Sequence, residues 1–404
     1  MQTETAWTAK LDRAVDAHLE QMVQVRRHLH ANPETSGHEK QTTCYLDKQF
    51  REKGFEIRHG PDGCGLIVDP PSEWTNGAAR RIALRADIDA LSVQDAKTVP
   101  YHSVVPGVMH ACGHDGHTAT VLGATLALAA TTRAGLLPWP VSWRTIFQPA
   151  EETNLGALGM VEAGALDGTA ALLALHMDPS RPVGEIGLKA GIFTAECDEM
   201  LIEVKGRGGH ASRPHESVDP IATAAHLISS IYLFVPRAID AHEPVVVTIG
   251  QIDGGAHYNV IPDRVRMRGT LRSLGGEVRQ QTMDHIRQLA LGLAEASGSA
   301  IQVKYLPGPP ALHNDPDLTD MIHNCAADLL GPQHVHSIER PSMGGEDFAH
   351  YLNWVPGSMF RLGCATGQVA APLHSPEFDI DERALGIGAK ILLRAAVAWS
   401  RPIQ

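Results

Sequence analysis

The sequence predicts an α/β protein in which a mostly parallel sheet forms the first domain and a smaller α+β domain is inserted into it. Three observations carry this expectation. Apolar runs bounded by turn residues alternate with helical stretches up to position 190, half-exposed alternating strands follow, and strand–helix texture returns from 306. Strands that alternate with helices indicate a mostly parallel sheet, whereas apolar–polar alternation marks strands with one wet face. The expected division is therefore 1–190, an insertion at 191–305, and 306–404 completing the first domain. A chain of 404 residues is also long for one simple core.

Taken in order, helices are expected at 11–30 and 38–53, then a buried strand "RIALRAD" at 81–87. The segment "TATVLGATLALAAT", rich in Ala and Leu without an internal Pro, reads as a helix over 117–130. The strands "VSWRTIFQ" (141–148) and "AALLALHM" (170–177) flank a helix at 155–163. In the insertion, "EMLIEVKGRG", "PVVVTIGQID" and "DRVRMRGTLRS" alternate as half-exposed antiparallel strands do, with helical stretches at 218–233 and 276–296.

Composition narrows the class. A hydrophobic fraction of 43% with 20% charged residues is that of an ordinary folded protein. The formal net charge of −12, without a Lys/Arg-rich block, argues against nucleic acid as a partner. The polar N-terminal stretch lacks a signal-peptide core, and no membrane span is expected because no long uninterrupted apolar run occurs. Six scattered cysteines without a CxxC pair make a disulfide framework improbable, so a reducing cytoplasm is expected.

Histidine is the outlier, with 22 residues, and "MHACGHDGH" (109–117) holds three of them beside a cysteine. Side chains at i and i+2 of an extended segment point the same way, so Cys112 and His114 could share a centre where a loop enters the following helix. Other coordinating residues fall at the ends of predicted strands, the edge where open α/β sheets bind ligands. Asp87 and Asp89 follow "IALRA", Glu151 and Glu152 follow "TIFQPA", and His176 ends "LLAL", while His374 lies near the C-terminus. Singly these read as a core histidine, a small buried thiol or a solvated acidic pair. Together Cys112, His114, Glu152, His176 and His374 are a thiolate, imidazole and carboxylate set suited to two divalent ions. The adjacent Glu151 could stay free of metal and shuttle a proton from an attacking water to a leaving nitrogen. A cysteine-nucleophile hydrolase using Cys112 with His114, and a non-catalytic metal-binding protein, are the rival readings.

The motifs "GVMHACGHDGHTA", "IFQPAEETNLGALGMVEAG", "LHMDP", "GRGGHASRPH", "NVIPD", "MGGEDFAHYL" and "LHSPEFDIDE" resemble the aminoacylase, hippurate-hydrolase and indole-acetyl-amino-acid hydrolase branch of the family-20 metallopeptidases. The match runs in unbroken order from about residue 23 to 395. The resemblance implies a two-metal, exopeptidase-like catalytic domain and an inserted lid that also makes a homodimer. It implies metal ligation by Cys112, His114, Glu152, His176 and His374, with Glu151 as general base. It also implies that His210 polarises the scissile carbonyl from the partner's lid, and that Asn259 and Arg272 grip the substrate carboxylate. Where wider members of the clan carry His-x-Asp, this chain has "RADID" with Ala86 at the histidine position, and Asp87 is expected to orient a ligand or a loop from behind. The connection 131–144, with "LLPWPVSW", departs from the usual short turn and is expected to reshape one wall of the entrance. The implied activity is metal-dependent cleavage of N-acyl amino acids to a carboxylic acid and a free amino acid, with zinc, manganese, cobalt or nickel as the ions. A dipeptidase or carbamoyl-amino-acid hydrolase of the same fold is the alternative.

Overall fold

The structure, a computed structural model, describes residues 4–402 apart from 76, 79, 368 and 369. It divides into two compact units. The larger comprises Met1–Gly191, His313–Glu339 and Asp347–Gln404, and the smaller Ile192–Leu312 with Arg340–Glu346.

The larger unit is built on an eight-stranded sheet. Its centre runs Ser142–Gln148, Arg81–Asp87, Thr169–Pro182 and Gly357–Ala365, each parallel to its neighbour. Apart from residues 178–182, these strands are almost wholly buried, which explains why they read as continuous apolar runs. The hairpin of Glu56–His59 with Leu66–Asp69 adds antiparallel strands at one edge. Ile186–Leu188 and Val335–Ser337 close the other.

Helix His114–Arg133 is apolar on nearly every side and is buried almost throughout, packed against Arg383–Trp399 and both N-terminal helices. Gly123 permits one of these approaches, because a Cβ there would overlap Met22. The expected single helix at 11–30 is instead two, Glu4–Asp16 and Leu19–Ala31. A tight turn, with His18 N–H donating to Val15 O at 2.9 Å, re-aims the chain. Leu11 and Val15 of one helix, and Met22, Val25 and Leu29 of the other, can then all be buried. Tertiary packing of two apolar faces overrides a continuous helical propensity here. The connection 131–144 also departs from expectation. It leads into the N-terminal end of Ser142–Gln148, and Trp139 donates its indole N–H to Val397 O at 2.7 Å. It therefore lies at the opposite end of the sheet from Glu151 and does not wall the entrance.

The smaller unit is a four-stranded antiparallel sheet in the order Val245–Asp253, Arg264–Ser273, Glu196–Lys205, Ala300–Pro307. Helices Pro220–Ala238 and Gly276–Ser297 cover one face, with Met200, Ile202, Leu227, Ile231 and Ile286 in the core. The segment Arg340–Glu346 joins this unit from far along the chain, through Ser342 N–H to Phe193 O (3.0 Å) and Ala195 N–H to Ser342 O (2.9 Å). No periodicity in the sequence signals that attachment.

Filling the Gly123 contact tests the packing of the long helix. Gly123→Val is expected to lower the thermal unfolding midpoint through overpacking, worth about 1–3 kcal/mol. An unchanged melting curve would contradict the close approach at Met22.

Candidate metal centre

The strand order brings distant residues to one edge. Asp87 ends its strand and Asp89 follows two residues later. The neighbouring strand ends at Gln148, and Pro149–Ala150 then present Glu151 and Glu152. His176 lies on Thr169–Pro182. The cluster at 109–117 is not one extended segment. Gly113 adopts φ 85 and the helix starts at His114 itself, so Cys112 and His114 are aimed by a left-handed turn rather than by strand alternation. His374 joins this loop from the C-terminal side, its N–H donating to Ala111 O at 2.7 Å.

The five expected ligands converge. Cys112 Sγ lies 3.6 Å from His176 Nε2, and Glu152 Oε1 lies 3.5 Å from His374 Nε2 and 3.9 Å from His114 Nε2. Potential ligand atoms of Cys112, Glu152 and His374 form one tight group, and those of His114, Glu151 and Glu152 another, with Glu152 common to both. His176 Nδ1 donates to Met177 O at 2.8 Å, and His114 Nδ1 donates to Asp89 O at 3.0 Å. Each ring is thereby held in the tautomer whose Nε2 lone pair faces the cluster.

This donor set fits divalent metal. His114 Nε2 and Glu152 Oε1 are buried without a hydrogen-bond partner among the described residues. Orphaned polar atoms of that kind are costly unless a ligand satisfies them. Burial pushes the Cys112 thiol well up and also raises the Glu152 carboxyl, against the pull of His114 and His374. Burial, with Arg361 close by, holds His176 well below its usual value and therefore neutral. A thiol raised in this way is a poor free nucleophile, which counts against the cysteine-nucleophile reading.

Behind the expected ligands stand buried carboxylates. Asp87, the residue expected to orient a ligand or a loop, accepts from His117 Nδ1 at 2.6 Å and from Arg85 Nη1 at 2.7 Å, and is 3.7 Å from His114 Nδ1. Burial alone would raise its pKa, but His114, His117 and Arg85 hold it well below the usual carboxylate range. The direct hold on His114 belongs to Asp89, whose Oδ1 is 3.1 Å from His114 Nδ1 and whose Oδ2 accepts from Glu152 N–H at 3.0 Å. Asp87–x–Asp89 alternation was the available signal, since side chains two apart share a face. Asp347 and Glu39 carried no such signal. Asp347 N–H donates to Glu151 Oε1 at 3.4 Å, and Glu39 bonds the backbone just before Glu151.

The other three expected residues lie in the smaller unit. His210 is exposed, and its Nδ1 accepts from Ser212 N–H at 3.1 Å, which places the ring proton on Nε2. Val260 pairs with His210 across a short ladder, and Asn259, just before it, accepts from Ala211 N–H on its carbonyl at 3.1 Å. Arg272 is half-buried on the four-stranded sheet and donates from Nη1 to Met343 O at 2.9 Å.

Comparison with known proteins places this geometry in a family context. The family model described as Peptidase family M20/M25/M40 matches residues 83–398. An N-acetyl-L-cysteine deacetylase of Bacillus subtilis is 39% identical over 369 residues, 90% of this chain and 85% of the relative. An IAA-amino acid hydrolase of Arabidopsis thaliana is 33% identical over 378 residues, 92% of this chain and 83% of the relative. Among solved structures, the Bacillus subtilis YXEP protein, described as a dinuclear metal binding peptidase, superposes with a TM-score of 0.80. It shares 34% identity, covering 96% of this chain and 100% of that one.

Asp89→Asn is expected to weaken metal retention about 10–100-fold, the usual range for partners that orient a ligand. Titration of the metal-free protein with Mn²⁺ or Zn²⁺ measures it. Unchanged affinity would show that His114 needs no such orientation.

Proposed function

The chain belongs to peptidase family M20/M25/M40, and from that premise we infer that it is a metal-dependent amidohydrolase of N-acyl amino acids, releasing a carboxylic acid and a free amino acid. The observation that carries this reading is the convergence of Cys112, His114, Glu152, His176 and His374 with Glu151 beside them. Those five residues would hold two divalent ions. When bound, the ions polarise the scissile carbonyl and make water nucleophilic near neutral pH.

The protein's own groups divide the remaining work. Glu151, with Oε2 3.9 Å from His114 Nε2, takes the proton of the attacking water and passes it to the leaving nitrogen. His210, with its proton on Nε2, donates to the oxyanion. Asn259 and Arg272 hold the substrate carboxylate, a task suited to an amide and a guanidinium. Asp87 keeps His117 and Arg85 in place behind the ligands.

A homodimer through the smaller unit completes the reading. Strand Val245–Asp253 is an open sheet edge, and helix Pro220–Ala238 exposes Tyr232, Leu233 and Phe234. By length and composition that helix could cross a membrane. Burial of Ala224, Leu227, Ile231 and Val235 against its own sheet favours an interface helix instead. Six cysteines, all unpaired, favour a reducing compartment such as the cytoplasm. A screen of N-acetyl, N-benzoyl and indole-acetyl amino acids against dipeptides and carbamoyl amino acids, with zinc, manganese, cobalt and nickel in turn, tests the substrate class and metal. Hydrolysis confined to dipeptides would overturn the N-acyl reading.

Two variants separate base from ligand. Glu151→Gln is expected to retain metal and lose about 10²–10⁴-fold in kcat, while Glu152→Gln loses metal; elemental analysis showing the reverse exchanges the roles. Subunit exchange tests His210. Inactive His210→Ala mixed with inactive Glu151→Gln should regain part of the activity if the histidine serves the partner's site. A mixture that stays inactive places His210 in its own subunit's site.

A further inference from the structure

The residue in front of Glu151 is pinned from both sides. Ala150 is buried at φ 55, in the left-handed region that side-chain-bearing residues avoid. Its N–H donates to Glu39 Oε1 at 2.8 Å. Its carbonyl accepts from Leu155 N–H at 3.3 Å, Gly156 N–H at 3.2 Å and Thr153 Oγ1 at 3.2 Å. Glu39 has 0% exposure, and the same oxygen also accepts from Gly37 N–H at 2.9 Å. A carboxyl so deeply buried carries a desolvation cost that these two amides offset on Oε1, while Oε2 is buried without a hydrogen-bond partner among the described residues. One of the two belongs to the residue preceding the proposed base.

We propose that Glu39 is a positioning residue for the reaction: by accepting the Ala150 N–H it holds the left-handed turn that aims the Glu151 carboxylate. The inference rests on the reading of Glu151 as general base. Alanine has no intrinsic preference for this turn, so bonds on both sides of the residue must retain it, and on the N–H side that bond is to Glu39. Without the Glu39 acceptor, Ala150 relaxes toward an ordinary φ and Glu151 swings with it. Displacements of about 1 Å at a reacting group can cost up to about 10²-fold in rate. The metal ligands lie outside this contact, since Glu152 N–H is held separately by Asp89.

The test uses the whole chain loaded with Mn²⁺ and an N-acetyl-L-amino acid as substrate. Glu39→Met keeps side-chain length and packing but removes the acceptor. Glu39→Gln keeps an acceptor oxygen, and burial already pushes the native carboxyl up toward its neutral form. Expected results are a kcat about tenfold or more lower for Glu39→Met, with KM and metal content near wild type, and a kcat near wild type for Glu39→Gln. Adding Ala150→Gly to Glu39→Met should restore much of the loss, because glycine adopts the left-handed turn unaided. A merely structural glutamate would not be rescued in that way. The proposal is overturned if Glu39→Met keeps wild-type kcat, if Ala150→Gly restores nothing, or if Glu39→Met fails to fold with or without that second change. Glu151→Gln is measured alongside. If it retains full turnover, the base assignment falls and this inference with it; if it is inactive while Glu39→Met is unimpaired, this inference alone falls.

Discussion

Asp89 is the joint on which the candidate centre depends. It is 1% exposed and receives His114 Nδ1–H on its carbonyl at 3.0 Å, with Oδ1 at 3.1 Å from the same nitrogen. Its Oδ2 takes the Ser36 hydroxyl at 2.7 Å and the Glu152 N–H at 3.0 Å. Three stretches of chain, from the N-terminal turn to the Glu151–Glu152 loop, therefore meet on one residue. A buried carboxylate is tolerable only when donors replace its lost water. Here the replacement donors are the groups that must be held still, so the cost of burial is converted into position.

A deeper layer repeats the pattern with full charges. Arg26, fully buried on helix Leu19–Ala31, donates to Asp115 at 2.8 Å, bonds Asp379, and reaches Glu382 at 3.4 Å. Asp115 follows His114, and Asp379 and Glu382 follow His374, so one guanidinium ties together the segments bearing both histidines. Arg85 does the same beneath Glu151, bonding Asp87 at 2.7 Å, Gln148 at 2.8 Å and Asp347 at 2.9 Å. Such buried ions add little net stability over an apolar core, but losing one partner costs about 3–5 kcal/mol. They give rigid orientation to the groups in front of them.

The backbone is strained where that orientation matters. Among the described residues, four other than glycine have positive φ. Three of them, Ala150, Asn154 and His374, lie in the segments that carry Glu151, Glu152 and His374. A left-handed alanine costs about 1–2 kcal/mol, and the contacts of Glu39 and of the Thr153–Gly156 turn offset it. At Gly113 the same geometry is adopted without that penalty.

The sequence by itself determined what depends on local pattern and residue chemistry. Apolar runs at 81–87, 141–148 and 170–177 specified buried strands, and their polar continuations specified which end of the sheet carries coordinating groups. The thiolate, imidazole and carboxylate types named a metal-binding chemistry before any distance was known. Tertiary structure decided what depends on residues far apart in the chain. The break at Ala17–His18 exists because two apolar faces must both reach the core. The placement of 131–144 followed from which strand end it feeds, and the attachment of Arg340–Glu346 from its backbone bonds to Phe193 and Ala195 and the Arg272 bond to Met343 O. Asp89 rather than Asp87 holds His114 because the chain beyond the strand carries its carbonyl and carboxylate to the same imidazole. Glu39 was illegible for a similar reason: its partner lies 111 positions away, and a lone glutamate before a helix has no periodicity. Local sequence encodes which groups can do the chemistry, while the long-range hydrogen bonds that aim them are encoded only by the fold.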